Sequence, residues 1–201
     1  MRTIGITGGV GAGKSEILAY LKAHYRCRVI MADEVARKLE EPGEICYKRI
    51  VALLGETILQ EDGQIDRGAM AQLIFRKKAL LEEINRIVHP AVQEYIEQQI
   101  ELEKRQERFD FLFVEAALLI ECGYDAILDE LWYIYTDAAV RRERLKKARA
   151  YSDEKIDSIM NGQLPEEMFR EKCHFVVDNS GSLEAACGQI DKRLGEKTCQ
   201  K

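Results

Sequence analysis

Eight consecutive residues near the start of the chain have the types and spacing of a phosphate-binding loop. They read G-x-x-x-x-G-K-S, between an apolar run that predicts a strand, Arg2–Thr7, and a helical pattern over residues 15–25. Glycines let successive N–H groups face phosphate oxygens, lysine neutralises β- and γ-phosphate charge, and serine offers a hydroxyl to Mg²⁺. A simple glycine-rich turn requires neither lysine nor serine. This phosphate loop predicts ATP binding, with Ser15 on Mg²⁺, at Gly8, Gly9, Val10, Gly11, Ala12, Gly13, Lys14 and Ser15.

Two acidic residues follow predicted strands where a small-molecule kinase needs them. Asp33 comes directly after the apolar run at residues 28–32, and Glu115 lies near the end of the run at residues 109–116. The carboxyl ends of parallel strands meet at the edge of the sheet where ligands bind. Asp33 suits either a base that orients an acceptor hydroxyl or the N-cap of a helix predicted from Glu34. Glu115 resembles the acid that supports Mg²⁺ directly or through water.

A basic helix is predicted within residues 138–171, a segment that could cover a site. We expect most of its cationic side chains to face water, because charged residues along a helix usually form a solvated face. A phosphoryl-transfer site nevertheless needs cations that close over the transferring group. Arg144 and Arg149 lie nearest the predicted cover and are the candidates among Arg141, Arg142, Arg144, Lys146, Lys147 and Arg149.

The phosphate loop alone does not name the acceptor. A GTPase needs the guanine-reading tetrapeptide N-K-x-D, and the neighbours of Asn85, Asn161 and Asn179 do not match it. Kinases of several small acceptors and a non-catalytic ATP-binding module remain as alternatives. The two acids and the basic helix favour a kinase over the non-catalytic module.

Composition narrows the class of partners. The 201 residues carry a net charge of −5, with basic and acidic residues interspersed, so we expect neither nucleic acid nor anionic lipid as a partner. No apolar run approaches the roughly 20 residues that span a bilayer. Six cysteines without a C-x-x-C pair predict reduced thiols in a cytoplasm: Cys27, Cys46, Cys122, Cys173, Cys187 and Cys199. The oligomeric state is left open.

The order of predicted elements indicates an α/β fold. Apolar strands are predicted at Arg2–Thr7 and at residues 28–32, 109–116, 131–136 and 174–178, and helices alternate with them. This alternation is typical of a parallel sheet covered on both faces. A helical insertion is predicted between the second and third strands. Its predicted helices span residues 45–54, 67–75 and 79–107, with Gly55, Gly63 and Pro90 as punctuation.

Seven segments taken in order resemble the dephospho-CoA kinase family over nearly the whole chain: GITGGVGAGKS, ADEVARKLEEPG, LLGETILQEDGQIDRGAMAQLIF, RIVHPAV, EAALLIE, RERLKKAR and VVDNSG. The resemblance implies transfer of the γ-phosphoryl group of ATP to the ribose 3′-hydroxyl of dephospho-CoA. It also implies a P-loop kinase three-layer fold with a parallel sheet. The core would comprise residues 1–40, 109–137 and 172–201, a helical CoA-binding domain residues 41–108, and a helical lid residues 138–171.

The resemblance also implies roles for individual residues. It favours catalysis over capping for Asp33, which would activate the hydroxyl, and it adds Lys14 and the lid residue Arg144 to the catalytic set. His89 has a second interpretation, an ordinary histidine before a helix-breaking proline. Asp66 is expected to cap a helix. The substrate-binding set that the resemblance implies is Asp33, His89, Pro90, Glu115 and Leu118.

Four features depart from the family pattern, one of which is E-A-A-L-L at residues 115–119 in place of the common D-x-P-L-L segment, a change that keeps an acid at Glu115. Glu16 replaces the common threonine after the loop serine, which places a carboxylate near the triphosphate within the ATP-binding set, so weaker ATP binding is expected. Met31 replaces the first acid of a D-x-D pair and leaves only Asp33. Ala148 occupies the place of a lid arginine, with Arg149 displaced from it by one residue.

Overall fold

The computed structural model describes residues 1–77 and 79–198, and Cys199 lies outside the described residues. The strands in this part of the chain are β1 (Arg2–Thr7), β2 (Cys27–Met31), β3 (Phe111–Glu115), β4 (Glu130–Tyr135) and β5 (Phe175–Asp178). The α-helices in the same ranges are α1 (Lys14–His24), α2 (Ala32–Leu39), α3 (Ile45–Leu54), α4 (Arg67–Arg76), α5 (Ala79–Gln106), α6 (Ala138–Arg149), α7 (Asp153–Asn161), α8 (Glu166–Lys172) and α9 (Leu183–Thr198).

The five strands form one sheet in the order β2-β3-β1-β4-β5. β1 pairs in parallel with β3 and β4, and β4 pairs in parallel with β5, which confirms the predicted parallel sheet. Ile4 and Ile6 on one face of β1 and Thr3 and Thr7 on the other are almost completely buried, as expected for a strand covered on both faces. Because β3 and β4 flank β1 in parallel, their carboxyl ends lie on either side of the phosphate loop, which follows β1.

The chain divides into two compact units, of which the first comprises Met1–Val29 with Glu107–Lys201 as far as it is described. Its core is aromatic, and the Trp132 ring lies between Phe113 and Phe175, at centroid distances of 6.0 and 5.2 Å. The Trp132 indole donates a 3.0 Å hydrogen bond to the buried carboxylate of Glu130. Arg2 pairs with the same carboxylate at 2.7 Å, so the buried charge is balanced.

The second unit, Ile30–Gln106, is mainly helical in its described residues, with the end of β2 and an isolated antiparallel bridge between Leu59 and Ile65. In it α2 and α3 pack against α5. Buried apolar residues of α5 recur at every fourth position, close to the 3.6-residue turn of an α-helix. These residues are Ile84, Val88, Val92, Ile96 and Ile100.

The helix predicted over residues 79–107 is confirmed, and Pro90, predicted as punctuation, does not interrupt it. α5 runs without interruption from Ala79 to Gln106 with Pro90 inside it. The proline removes one backbone N–H, which would bond the carbonyl of Arg86 in a regular helix. Val88 and Val92 are buried on either side of it, so we attribute the continuity of the helix to tertiary packing.

Two acidic residues near helix starts behave differently. Asp66 caps α4 as expected, since its carboxylate accepts hydrogen bonds from the N–H groups of Gly68 and Ala69 at 2.8 and 3.0 Å. Asp33 does not cap a helix, because α2 begins at Ala32 with Met31 as its N-cap. The capping interpretation of Asp33 is therefore wrong: its helix starts two residues earlier than the sequence pattern indicated.

Within the described ranges, no helix combines the length and apolar character needed to cross a bilayer. The division of residues 41–108 and 138–171 into an acceptor domain and a lid stays a prediction.

Candidate active site

The phosphate loop connects β1 to α1 in a conformation that only glycine adopts easily. Gly13, the N-cap of α1, has φ 84° and ψ 22°, in the left-handed region. Gly8 passes close to β4, where a Cβ atom would lie 2.5 Å from the carbonyl oxygen of Ile134. These glycines allow the backbone to turn tightly onto the N-terminus of α1, where the helix dipole favours anions.

Lys14 and Glu115 lie together at this turn. Lys14 Nζ donates a 2.8 Å hydrogen bond to the carbonyl of Gly8 and lies 3.6 Å from Glu115 Oε1. Their side chains are only 16% and 11% exposed, so solvent screens their attraction less than at the surface. The structure thus brings together a predicted phosphate-binding cation and a predicted magnesium-supporting acid.

Three further side chains donate hydrogen bonds to carbonyls of the phosphate loop. None of the three is a predicted site residue. The Ala12 carbonyl accepts hydrogen bonds from Thr136 Oγ1 at 3.0 Å and from Asn179 Nδ2 at 2.8 Å. The Val10 carbonyl accepts one from Arg141 Nε at 3.0 Å. Thr136 and Asn179 directly follow β4 and β5, so the strand-end rule applied to Asp33 and Glu115 could have found them. For Arg141 no such signal exists.

Arg144 lies beside the loop and not on the outer face of its helix. Its Nη2 donates a 2.9 Å hydrogen bond to the carbonyl of Asn179, and its Nη1 lies 3.4 Å from the position of a Cβ on Gly13. Within the described chain, Arg144 Nη1 and Asn179 Oδ1 are buried without a hydrogen-bond partner. An unsatisfied buried polar group costs about 1–3 kcal/mol. Arg144 Nη1 is a donor and Asn179 Oδ1 an acceptor, and both lie near Gly13. A nucleotide bound at the loop could supply the complementary groups.

Ser15 and Glu16 are exposed in the first turn of α1. Glu16 Oε2 lies 3.3 Å from the position of a Cβ on Gly13, so its carboxylate borders the loop. The expected penalty for ATP binding stays a prediction.

Most of the remaining cations of α6 face water. Arg142 pairs with Asp153 at 2.8 Å and also with Asp157, and Lys146 pairs with Asp153 at 2.7 Å. The exposed Arg149 lies 5.9 Å from the Tyr151 ring centroid.

The remaining predicted residues lie in several elements. In the second unit, Asp33 is exposed in the first turn of α2, while α5 carries the half-buried His89 and the exposed Pro90. In the first unit, Leu118 is 44% exposed in the turn that follows β3. Leu118 therefore shares the edge of the sheet with Glu115.

The cysteines of the described chain are poor nucleophiles. Burial raises the pKa of the Cys173 thiol to about 12, and it also raises the pKa values of Cys27, Cys46, Cys122 and Cys187. The thiolate is the reactive form, so these thiols stay protonated and unreactive near neutral pH. Among the described residues no disulfide links them.

Comparisons with known proteins identify the family that this chain is similar to. The sequence model of the dephospho-CoA kinase family matches residues 2–185. A dephospho-CoA kinase from Moorella thermoacetica is 34% identical over 190 residues, covering 94% of this chain and 89% of the relative. The crystal structure of TT1252 from Thermus thermophilus is similar with a TM-score of 0.75 and 29% identity, over 97% of each chain. Dephospho-CoA kinase from Campylobacter jejuni has the same fold, with a TM-score of 0.72, 21% identity, and coverage of 98% of this chain and 97% of that one.

These likenesses confirm the predicted P-loop kinase fold, with ATP as phosphoryl donor and dephospho-CoA as acceptor. This chain belongs to the dephospho-CoA kinase family, the enzymes that catalyse the final step of coenzyme A synthesis.

Proposed function

We propose that the phosphate loop binds the triphosphate of ATP and that the γ-phosphoryl group passes from there to the ribose 3′-hydroxyl of dephospho-CoA. The position of Lys14 is the observation that carries this proposal. Its ammonium group lies 2.8 Å from the Gly8 carbonyl and 3.6 Å from Glu115. A cation in this half-buried place can neutralise charge on the β- and γ-phosphates as the transition state forms.

Mg²⁺ fits the oxygen groups beside Lys14. Ser15 has an exposed hydroxyl, and Glu115 has a carboxylate at the adjacent strand end. Mg²⁺ prefers such hard oxygen ligands and usually keeps several waters alongside phosphate oxygens. We assign Ser15 as the protein ligand and Glu115 as a support through water. When bound, the ion would neutralise charge on the phosphate oxygens.

Arg144 and Asn179 complete the nucleotide site in this proposal. Arg144 Nη1 would donate to an acceptor of the nucleotide, and Asn179 Oδ1 would accept from a donor. Support comes from their burial and from the lack of a partner for either atom in the described residues. Arg144 also adds positive charge beside Gly13, where the loop enters α1.

Asp33 is proposed as the group that accepts the proton of the acceptor hydroxyl. The 3′-oxygen forms a bond to the γ-phosphorus while the bond from that phosphorus to the bridging oxygen breaks, and ADP leaves with the electron pair. The proton passes late to the Asp33 carboxylate, because the loose transition state needs little activation of the nucleophile. Support for this role is the exposed carboxylate that the helix does not use as a cap.

We assign dephospho-CoA binding to residues 41–108, with His89 and Pro90, and to Leu118 at the edge of the sheet. Residues 138–171 would act as the lid that excludes water, so that transfer to the acceptor exceeds hydrolysis. A cytoplasmic location stays a prediction that rests on the cysteine pattern of the sequence.

The direct test is incubation of the full chain with MgATP and one acceptor at a time, with mass spectrometry of the products. We expect one added phosphate on dephospho-CoA and none on AMP or shikimate. Transfer to another acceptor, with dephospho-CoA unchanged, would contradict the proposal. ATP binding without transfer to any acceptor would favour a non-catalytic module.

A further inference from the structure

Arg141 lies against the outer side of the phosphate loop and has no part in the function proposed above. Its Nε donates a 3.0 Å hydrogen bond to the carbonyl of Val10, and its Nη2 donates one to Oε1 of Gln163. A Cβ on Gly9 would overlap its guanidinium group. The side chain therefore joins the loop to the turn between α7 and α8.

The hydrogen bonds around the loop follow an alternating pattern. The carbonyls of residues 8, 10 and 12 accept hydrogen bonds from Lys14, from Arg141, and from Thr136 with Asn179. In a trans peptide the carbonyl and the following N–H point in opposite directions. Arg141 lies on α6 and fixes the direction of the Val10 carbonyl towards that helix. The N–H of Gly11, in the same peptide group, must therefore point away from α6.

We propose that Arg141 is a positioning residue that orients the Gly11 N–H towards the ATP polyphosphate, and that its bond to Gln163 couples ATP binding to α7 and α8. This inference rests on the proposed ATP site. Amides that are fixed before the ligand binds stabilise phosphate charge without a cost of reorganisation. Both partners of Arg141 are neutral oxygens, so its positive charge also acts on the loop.

A purely structural role for Arg141 explains less of the geometry. Arg142, the next residue, already ties α6 to α7 through Asp153 and Asp157. Leu145 also packs here, 3.0 Å from the position of a Cβ on Gly11. Helix packing therefore does not need a guanidinium hydrogen-bonded to a loop carbonyl.

The experiment compares Arg141→Leu with the matched control Arg142→Leu in the full chain. Titration calorimetry measures the Kd of ATP, ADP and adenosine, and steady-state kinetics gives KM for ATP and for dephospho-CoA. For Arg141→Leu we expect ATP and ADP to bind about tenfold more weakly, the loss typical of one charge-assisted hydrogen bond. Adenosine binding and KM for dephospho-CoA should stay unchanged, because neither involves the Gly11 amide. Arg142→Leu should leave all these values near wild type while lowering Tm slightly.

The coupling to Gln163 is tested by a double-mutant cycle of Arg141→Leu and Gln163→Leu. We expect Gln163→Leu to weaken ATP binding by a few-fold, and the double variant to bind no more weakly than Arg141→Leu. Fully additive losses would overturn the coupling. An ATP Kd at the wild-type value in Arg141→Leu would overturn the positioning role, as would equal losses for ATP and adenosine.

Arg141→Lys covers the case in which Arg141→Leu does not fold. A single ammonium lacks the planar fork that reaches both oxygens, so we expect part of the ATP affinity to be lost while adenosine affinity is kept. Unchanged ATP affinity in this variant would contradict the proposal. Failure of the proposed function would give a different result, in which wild type binds ATP but does not phosphorylate dephospho-CoA. The Kd comparison between wild type and Arg141→Leu would still test the positioning role of Arg141.

Discussion

Lys14 Nζ lies 3.6 Å from Glu115 Oε1, and the parallel pairing of β1 with β3 accounts for this distance. Glu115 is in register with Ile6, two residues before the phosphate loop, and Lys14 is both a residue of the loop and the first residue of α1. Charges so close and so little exposed influence each other more strongly than a surface pair would. We therefore treat the cation and the acid as one functional unit.

Glu115→Gln should raise the Mg²⁺ concentration needed for half-maximal activity. The variant keeps the shape of the side chain but removes the charge that we assign to supporting the ion. A fall in kcat of about 10-fold or more is expected at limiting Mg²⁺, with partial recovery at saturation. Activity measured against total Mg²⁺ checks this, with Glu121→Gln, an exposed residue of the same connection, as control. Identical Mg²⁺ curves for wild type and Glu115→Gln would remove Glu115 from the magnesium site.

Asp33→Asn should lower kcat by about 10²-fold or more, the range typical of a lost general base, while the Kd of ATP changes little. The amide cannot accept the proton of the hydroxyl. Glu34→Gln is the matched control, since Glu34 is the next residue and is also exposed. Rates come from steady-state assays and binding from calorimetry. If kcat stays near wild type, Asp33 is not the base.

Glu16→Thr should strengthen ATP binding. The substitution removes a carboxylate whose Oε2 borders Gly13 and supplies a hydroxyl that can reach the α-phosphate. Removal of one like charge near the triphosphate is expected to lower the Kd by a few-fold to about tenfold. Glu16→Gln separates the charge effect from the hydroxyl effect in the same titration. Equal or weaker ATP affinity in both variants would show that Glu16 does not weaken ATP binding.

Stability should fall at alkaline pH partly through Cys173. Burial raises the pKa of this thiol from 9.0 to about 12, so the folded state binds its proton more tightly than the unfolded state. The contribution is complete below the unfolded pKa and is lost as pH rises through the folded value. Urea unfolding from about pH 8 to about pH 11 should therefore show a steeper loss for wild type than for Cys173→Ala. Parallel pH profiles would show that Cys173 does not contribute.

Local patterns predicted the strands and the phosphate loop well. β1 has the predicted bounds because a buried parallel strand is a continuous apolar run between turn residues. The strand-end rule placed Glu115 at the sheet edge, and the structure puts it next to Lys14. The bounds of β1 depend on residues close in sequence. The position of Glu115 follows from the rule that the carboxyl ends of neighbouring parallel strands lie at the same edge of the sheet.

Features that depend on distant contacts were not predictable. The local pattern predicts a helix through Pro90, but it does not show that α2 and α3 pack against that helix. Arg141 differs from Arg142 only in which side of α6 meets the loop, and a run of basic residues does not carry that information. The resemblance implies a lid role for Arg144 but gives no sign of its hydrogen bond to the carbonyl of Asn179, the residue after β5.

The central claim is that Lys14 and the phosphate loop transfer the γ-phosphoryl group of ATP to dephospho-CoA. The most direct measurement is ³¹P NMR of the product made by wild type and by Lys14→Ala, with Lys22→Ala, an exposed residue on the same helix, as control. We predict a new phosphate monoester on the ribose 3′-oxygen with wild type and Lys22→Ala, and almost none with Lys14→Ala. Undiminished product from Lys14→Ala, or a phosphate at any other position, would contradict the account.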